Sequence, residues 1–403
     1  MKSEEREIEL RMSTKARVHG MDGTLVDADW PPLTLDEMLP VFTHFPGAGR
    51  PLRISSVSPR PFSAASVVAT NRGCVFVKRH HRSVRNAEGL QEEHRFMAHL
   101  RTKGAPVPHV LSTSTGDTAI ESGDWTYEVH ETPKGVDLYQ DALSWTPFRS
   151  TEHARSAGEA LARLHVAASG YSAPPRPPRP LVASFTIFAA HHPAVAFAHY
   201  LAERRALDAD PSTHRSCEWA SELLSPFHAE LLPLLPSLQP LWTHNDLHAS
   251  NLFWSAAGDA SHATAVIDFG LADRTNAVHD LAQAIERNIV EWLVLTQDSA
   301  SFKNVPVHLD HLRALLDGYE SVRILSKEEA GALAPMTALC HAEFALTEAD
   351  YFLSVLHSPE RARVASHDYL VGHARWFRSE GGSRLLDALI KRASDRNRMV
   401  VHE

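Results

Sequence analysis

Cysteine is scarce in this 403-residue chain: Cys74, Cys217 and Cys340 stand far apart and form no Cys-x-x-Cys pair. That spacing supports neither a disulfide framework nor a zinc site. Long apolar runs are missing as well. The most apolar stretch, residues 181–200, is interrupted by His191-His192-Pro193 and is too broken to span a bilayer. The first twenty residues carry charge throughout, unlike a secretory signal, so a cytoplasmic protein with no membrane partner is expected. The formal charge of −9 argues against nucleic acid and tilts any charged partner toward a cation. No Gly-x-x-x-x-Gly-Lys stretch occurs, which excludes the P-loop route to a nucleotide. What is present is ordinary for a soluble globular chain, 43% hydrophobic and 22% charged, and long enough for one large domain or two lobes.

The chain is organised around residues 241–281, LWTHNDLHASNLFWSAAGDASHATAVIDFGLADRTNAVHDL. Asp246 and Asn251 sit five residues apart in a compact polar loop. Two apolar runs follow, 252–254 and 263–267, separated by a break containing Gly258 and Asp259, and read as a β-hairpin. The midpoint between Asn251 and Asp268 falls in that break. The expected register therefore sets Asn251 opposite Asp268 at the open end, beside Asp246. An amide oxygen and a carboxylate converging on one point suit a hard divalent cation such as Mg2+. A second carboxylate just beyond can orient a hydroxyl and accept its proton. Phosphoryl transfer in kinases uses these parts: an Asp base, an Asn five residues on, and the Asp of Asp-Phe-Gly on the metal. Singly, each is a common turn, cap or strand-end residue; all three at this spacing are not.

HNDLHASNLFW followed by VIDFG and HDLA resembles the aminoglycoside phosphotransferase and choline kinase-like family, relatives of the protein kinases. The family's loop usually reads His-Gly-Asp, and Asn245 departs from it. The resemblance implies an α+β, protein kinase-like fold of two lobes, a small β-rich N-lobe and a larger mainly helical C-lobe. It also implies an ATP-dependent kinase. It leaves the acceptor unnamed.

Taken in order, residues 1–30 show no sustained period and form a poorly defined N-terminal segment. Residues 21–27 (MDGTLVD) briefly resemble a dehalogenase-type phosphatase loop, but Gly20 stands at the nucleophile position and the reading is discarded. Residues 34–45 predict a short helix capped by Thr34. Strands are expected at 53–57, 66–70 and 74–78, the last two joined through Asn71-Arg72-Gly73. Period 2 puts Cys74, Phe76 and Lys78 on one face. Lys78 ends a run resembling Val-Ala-Ile-Lys, whose Lys holds the nucleotide phosphates. The helix expected at 90–101 carries Glu92 and Glu93. Alignment with the family's pattern favours Glu93 as the partner of Lys78, with Glu92 as the fallback. Residues 104–108 close that helix, 125–130 read as a strand, and 131–135 as the hinge between lobes. His130, at the end of that strand, is placed with Lys78 and Glu93 among the nucleotide-binding residues.

Beyond the hinge, residues 152–165 form a helix in which His165 is a packed residue rather than a ligand. Residues 172–181 (SAPPRPPRPL) are polyproline-like: a stiff surface connection, or a ligand for an SH3-type partner. His279-Asp280-Leu281-Ala282 opens a helix with Leu281, Ile285, Ile289 and Trp292 or Leu293 on one face. Asp280 has two open readings, a charge on the helix dipole or the family's brace for the catalytic loop. The remainder is helical, and His308 and His311 lack the third ligand of a metal site.

The expected organisation is a nucleotide-binding N-lobe at 31–130 and a catalytic and acceptor-binding C-lobe at 131–403. Asp246 is the expected base, Asn251 and Asp268 the Mg2+ ligands, ATP the donor and a small-molecule hydroxyl the acceptor, its charge tilted toward a cation. Two rival readings are a bacterial protein Ser/Thr kinase of the same fold and a non-catalytic pseudokinase binding module. The intact acid and amide positions argue against the pseudokinase, and the lack of an Ala-Pro-Glu segment argues against a protein substrate.

Overall fold

The computed structural model describes residues 17–19, 25–295 and 305–400. Residues 21–24 of the dehalogenase-like loop, and most of the N-terminal segment, lie outside them. Within that segment, β1 (Arg17–His19) pairs antiparallel with β2 (Leu25–Asp27). The chain divides into two compact units, Met1–Gln91 with His109–Thr132, and Glu92–Pro108 with Pro133–Glu403.

The first unit contains a five-stranded antiparallel sheet, in the spatial order Pro51–Val57, Ala64–Thr70, Gly73–His81, Trp125–Glu131, Ile120–Ser122, backed by one helix. The helix, α1 (Leu35–His44), begins where Thr34 accepts a hydrogen bond from the Glu37 amide, as its cap-like sequence predicts. Its Met38, Val41 and Phe42 pack with Val68, Val75, Val77, Tyr127 and Val129 into one apolar core. The strands are β3 (Pro51–Val57), β4 (Ala64–Thr70), β5 (Gly73–His81), β6 (Ile120–Ser122) and β7 (Trp125–Glu131). The β4–β5 hairpin turns at Gly73, whose φ of +128° favours glycine. Alternation along β5 buries Val75, Val77 and Arg79 and leaves Cys74 exposed and Phe76 and Lys78 half-buried. Arg79 stays in the buried layer because Glu37 of α1 meets its guanidinium at 2.6 Å and Trp125 lies under it at 4.1 Å.

The helix α2 (Ala87–Thr102) runs from the first unit into the second. It stops at Gly104 (φ +81°), where the Ala105 amide reaches back to the Leu100 carbonyl at 3.0 Å. The second unit is mainly helical. Its central pair is α3 (Thr151–Ala168) against a helix at Leu309–Glu320. These cross backbone to backbone, because a Cβ on Gly158 would strike the Leu315 carbonyl and one on Gly318 the Arg155 carbonyl. The close crossing sets His165 of α3 against Tyr319, Nδ1 accepting from the phenol at 2.7 Å. After α3 come α4 (Pro193–Ala202), a four-residue helical turn (Arg205–Asp208) and α5 (Pro211–Leu231). No described helix is long and apolar enough to cross a membrane.

Four short strands carry the motifs: β8 (Pro240–Thr243) pairs with β11 (Asp273–Asn276), and β9 (Leu252–Trp254) with β10 (Ala263–Val266). The helix α6 (Ala277–Ile289) follows β11, capped by Asn276, which accepts from the His279 amide. It is shorter than expected. Val290 takes an extended backbone, so Trp292 belongs to a separate four-residue helix, Trp292–Leu295.

Candidate active site

The loop after β8 is built by hydrogen bonds to its backbone. Asp280, in the first turn of α6 and fully buried, accepts from the His244 amide at 2.9 Å and the Asn245 amide at 2.8 Å. His165 Nε2 donates to the same carboxylate at 3.0 Å. Burial pushes the Asp280 carboxyl up, but these bonds and the nearby imidazoles outweigh it and hold it below the ordinary value. Of the two readings open for Asp280, the brace describes its contacts. From the other end of α6, Asn288 accepts from the Ala249 amide at 2.9 Å and donates to the Leu247 carbonyl at 2.9 Å. The segment 244–249 is thus held at both ends by one helix.

Two local features explain the loop's residues. Asn245 has φ +60°, a conformation that Gly adopts most easily and Asn next, so the departure from His-Gly-Asp is compatible with the backbone. Its buried amide is hydrogen-bonded at both ends, Nδ2 donating to the Leu271 carbonyl at 3.1 Å and Oδ1 accepting from Thr243 at 2.8 Å and Thr275 at 3.1 Å. His244 donates from Nε2 to the Ile267 carbonyl at 2.9 Å and accepts at Nδ1 from the Asp246 amide at 3.2 Å. That pairing needs the neutral ring, and burial pushes its pKa down accordingly.

Asp246, partly open to solvent, receives Asn251 Nδ2 at 3.1 Å on Oδ2 and at 2.9 Å on its own carbonyl. The amide nitrogen of Asn251 is thus committed to Asp246. Arg287, fully buried on α6, forms an ion pair with Asp246, its guanidinium 4.3 Å above the Phe344 ring. Burial pulls the Arg287 pKa down from its usual height. Sequence reasoning missed Arg287 and Asn288, since no motif marks either position.

The hairpin register differs from expectation by one residue. Val266 pairs with Leu252, and the Ile267 amide donates to the Asn251 carbonyl at 3.0 Å, so Ile267 and not Asp268 stands opposite Asn251. The turn is centred earlier than the midpoint of Asn251 and Asp268, and an irregularity between Ala263 and Ala265 recovers one residue of that offset, leaving a slip of one. Asp268 then leaves the strand with φ +63° and ψ +71°, a left-handed conformation that redirects the chain into Phe269-Gly270-Leu271. The two candidate metal ligands therefore flank one short hairpin, and both side chains offer oxygens, the donor type that suits Mg2+.

In the first unit, Glu128 of β7 lies between His80 (2.9 Å) and His130 (2.7 Å), so the His130 side chain is engaged with its own sheet. Lys78 lies across from Glu128 in the β5–β7 register. In the second unit, Glu93 receives Arg176 Nη2 at 2.7 Å. Residues 172–181 run along the surface as expected, with Pro174, Pro175, Pro177 and Pro178 exposed, but Arg176 is turned inward and buried.

A small antiparallel-sheet unit and a mainly helical unit carrying these loops define a protein kinase-like α+β fold. Residues 62–325 match the Phosphotransferase enzyme family, and the chain belongs to it. Among solved structures, the chain is similar to a microcompartment-associated aminopropanol kinase (TM-score 0.54, 16% identity, 86% of this chain and 99% of that one). It is also similar to the amicoumacin kinase hAmiN in complex with AMP-PNP, Ca2+ and Ami (TM-score 0.52, 12% identity, 84% and 93%). At these identities the likeness concerns the fold. No curated protein matches in sequence.

Proposed function

We propose that this phosphotransferase moves the γ-phosphate of ATP to a hydroxyl of a small molecule. The observation that carries the reading is the Asp246 loop, its backbone clamped by Asp280 and Asn288 and its carboxylate met by Asn251. Phosphoryl transfer asks a protein chiefly for positioning and charge stabilisation, and a loop with so little freedom suits that task. Asp246 would orient the acceptor hydroxyl and take its proton. Asn251 and Asp268 would hold Mg2+, which when bound neutralises the phosphate oxygens. Lys78, with Glu93 as its acid, would grip the phosphates, and the backbone beside His130 would meet the adenine.

The named activities of the structural relatives, an aminopropanol kinase and an amicoumacin kinase crystallised with AMP-PNP, support a small-molecule acceptor and a nucleotide donor. ADP release measured with a panel of hydroxyl metabolites, with a generic protein substrate and with neither tests the proposal. Stimulation by a metabolite is expected. Stimulation by the protein alone would make it a protein kinase, and no release under any condition together with no MgATP binding would make it a binding module.

A further inference from the structure

The proline-rich segment 172–181 lies outside every motif, yet it runs directly onto the loop that follows Asp268. Its Arg176 is 6% exposed. The Arg176 amide donates to Asp273 Oδ1 at 2.8 Å, and Nη1 donates to the carbonyls of Gly270 at 3.0 Å and Ala272 at 3.3 Å. On its other edge, Nη2 donates to Glu93 Oε1 at 2.7 Å, and Nε lies 3.4 Å from Glu92 Oε2. Arg179 adds a weaker contact to Glu92 at 3.9 Å. Ser184, just past the segment, donates to the other oxygen of Asp273.

These contacts have a geometric sense. The segment 268–273 leaves its hairpin through a strained left-handed Asp268 and has only a short helical turn of its own. Its carbonyls at Gly270 and Ala272 face a planar, permanently charged fork that also reaches the two acids of α2. Pro174, Pro175, Pro177 and Pro178 flank Arg176 and fix φ on both sides, so the side chain is delivered at little entropic cost.

We propose that Arg176 is a positioning residue, tying the Asp268 loop to Glu92 and Glu93 so that metal-dependent nucleotide binding depends on the proline-rich strap. The proposal rests on the reading of Asp268 as a metal ligand. A partner that holds a ligand in place from behind typically changes metal affinity by roughly 10–100-fold. The test is calorimetric titration of the full chain with ATP, with and without Mg2+, for wild type, Arg176→Met and Arg176→Lys, beside urea unfolding of each. The methionine variant is expected to lose roughly tenfold or more in MgATP affinity while metal-free ATP affinity changes less than about twofold. Lysine keeps the charge but cannot span carbonyl and carboxylate together, so it should recover only part of the loss. Equal losses with and without Mg2+, or no loss of MgATP affinity, would overturn the proposal. If the methionine variant does not fold, the lysine variant decides by the same pair of titrations. A wild-type chain that binds no MgATP would refute the nucleotide reading instead.

Discussion

Replacing Asp280 with Asn removes one charge and one acceptor from the most enclosed part of the loop. The carboxylate has 0% exposure and accepts three hydrogen bonds, from Asn245 N on Oδ1 and from His244 N and His165 Nε2 on Oδ2. An amide can keep at most one of those oxygen positions. Its better choice retains the two bonds at Oδ2 and turns its NH2 toward the Asn245 amide, donor against donor. One bond to a charged group is then lost, worth about 1.5–3 kcal/mol, and a buried N–H is left unsatisfied. Relief from burying a charge offsets part of this, so a net destabilisation of about 3 kcal/mol is expected for Asp280→Asn. Because the wild-type carboxyl titrates below its ordinary value of 3.8, its contribution is complete above about pH 4 and fades as pH falls through the folded value. Urea unfolding at neutral pH should show the full deficit, and the gap between variant and wild type should narrow on acidification. Turnover should fall more than MgATP affinity, since the loop beneath Asp246 loosens. A loss under about 1 kcal/mol at pH 7, or a gap independent of pH, would refute the brace.

Other variants probe separate parts of the fold. Gly158→Ala places a methyl group against the Leu315 carbonyl, and urea unfolding should show a loss of about 3 kcal/mol, the upper range for overpacking. Burial pushes the Glu348 carboxyl from 4.5 up to about 8, and its Oε2 has no hydrogen-bond partner among the described residues. Between those values the folded chain keeps a proton that the unfolded chain releases, so stability falls as pH rises, by up to about 1.4 kcal/mol per unit. Unfolding of Glu348→Gln at pH 5, 6.5 and 8 should therefore show it gaining on wild type as pH rises. Arg287→Met fills similar volume but removes the ion pair with Asp246; stopped-flow and calorimetry should show turnover down by roughly 10–100-fold, as for a displaced catalytic group, with MgATP affinity within about twofold.

Much of the fold was legible because its signals are local. Thr34 before an apolar-periodic run marked α1, and alternation about a Gly-containing turn marked β4 and β5. The hairpin between Asn251 and Asp268 was legible as an element but not in register. The centre of the turn and the left-handed Asp268 leave no mark in the hydrophobic pattern, and a slip of one exchanges the faces of a strand. Arg176 and Arg287 were illegible for another reason. Arg176 meets a loop 94 to 97 residues away, and Arg287 meets Asp246 from α6. Such partners are assigned by tertiary packing, whereas a proline-rich string or an Arg within a helix reads locally as surface. Asp280 lay between these cases, its position visible and its three donors not.

The division of labour between Asp246 and Asp268 is the centre of this account. Its most direct test pairs MgATP calorimetry with turnover for Asp246→Asn and Asp268→Asn, each confirmed folded. Asp246→Asn should leave MgATP affinity nearly intact and lower turnover by roughly 10²–10⁴, the range for a positioned acid–base group, or about 3–5 kcal/mol of transition-state stabilisation. Asp268→Asn should weaken MgATP binding together with turnover. Equal MgATP affinity in the two variants would contradict the assignment.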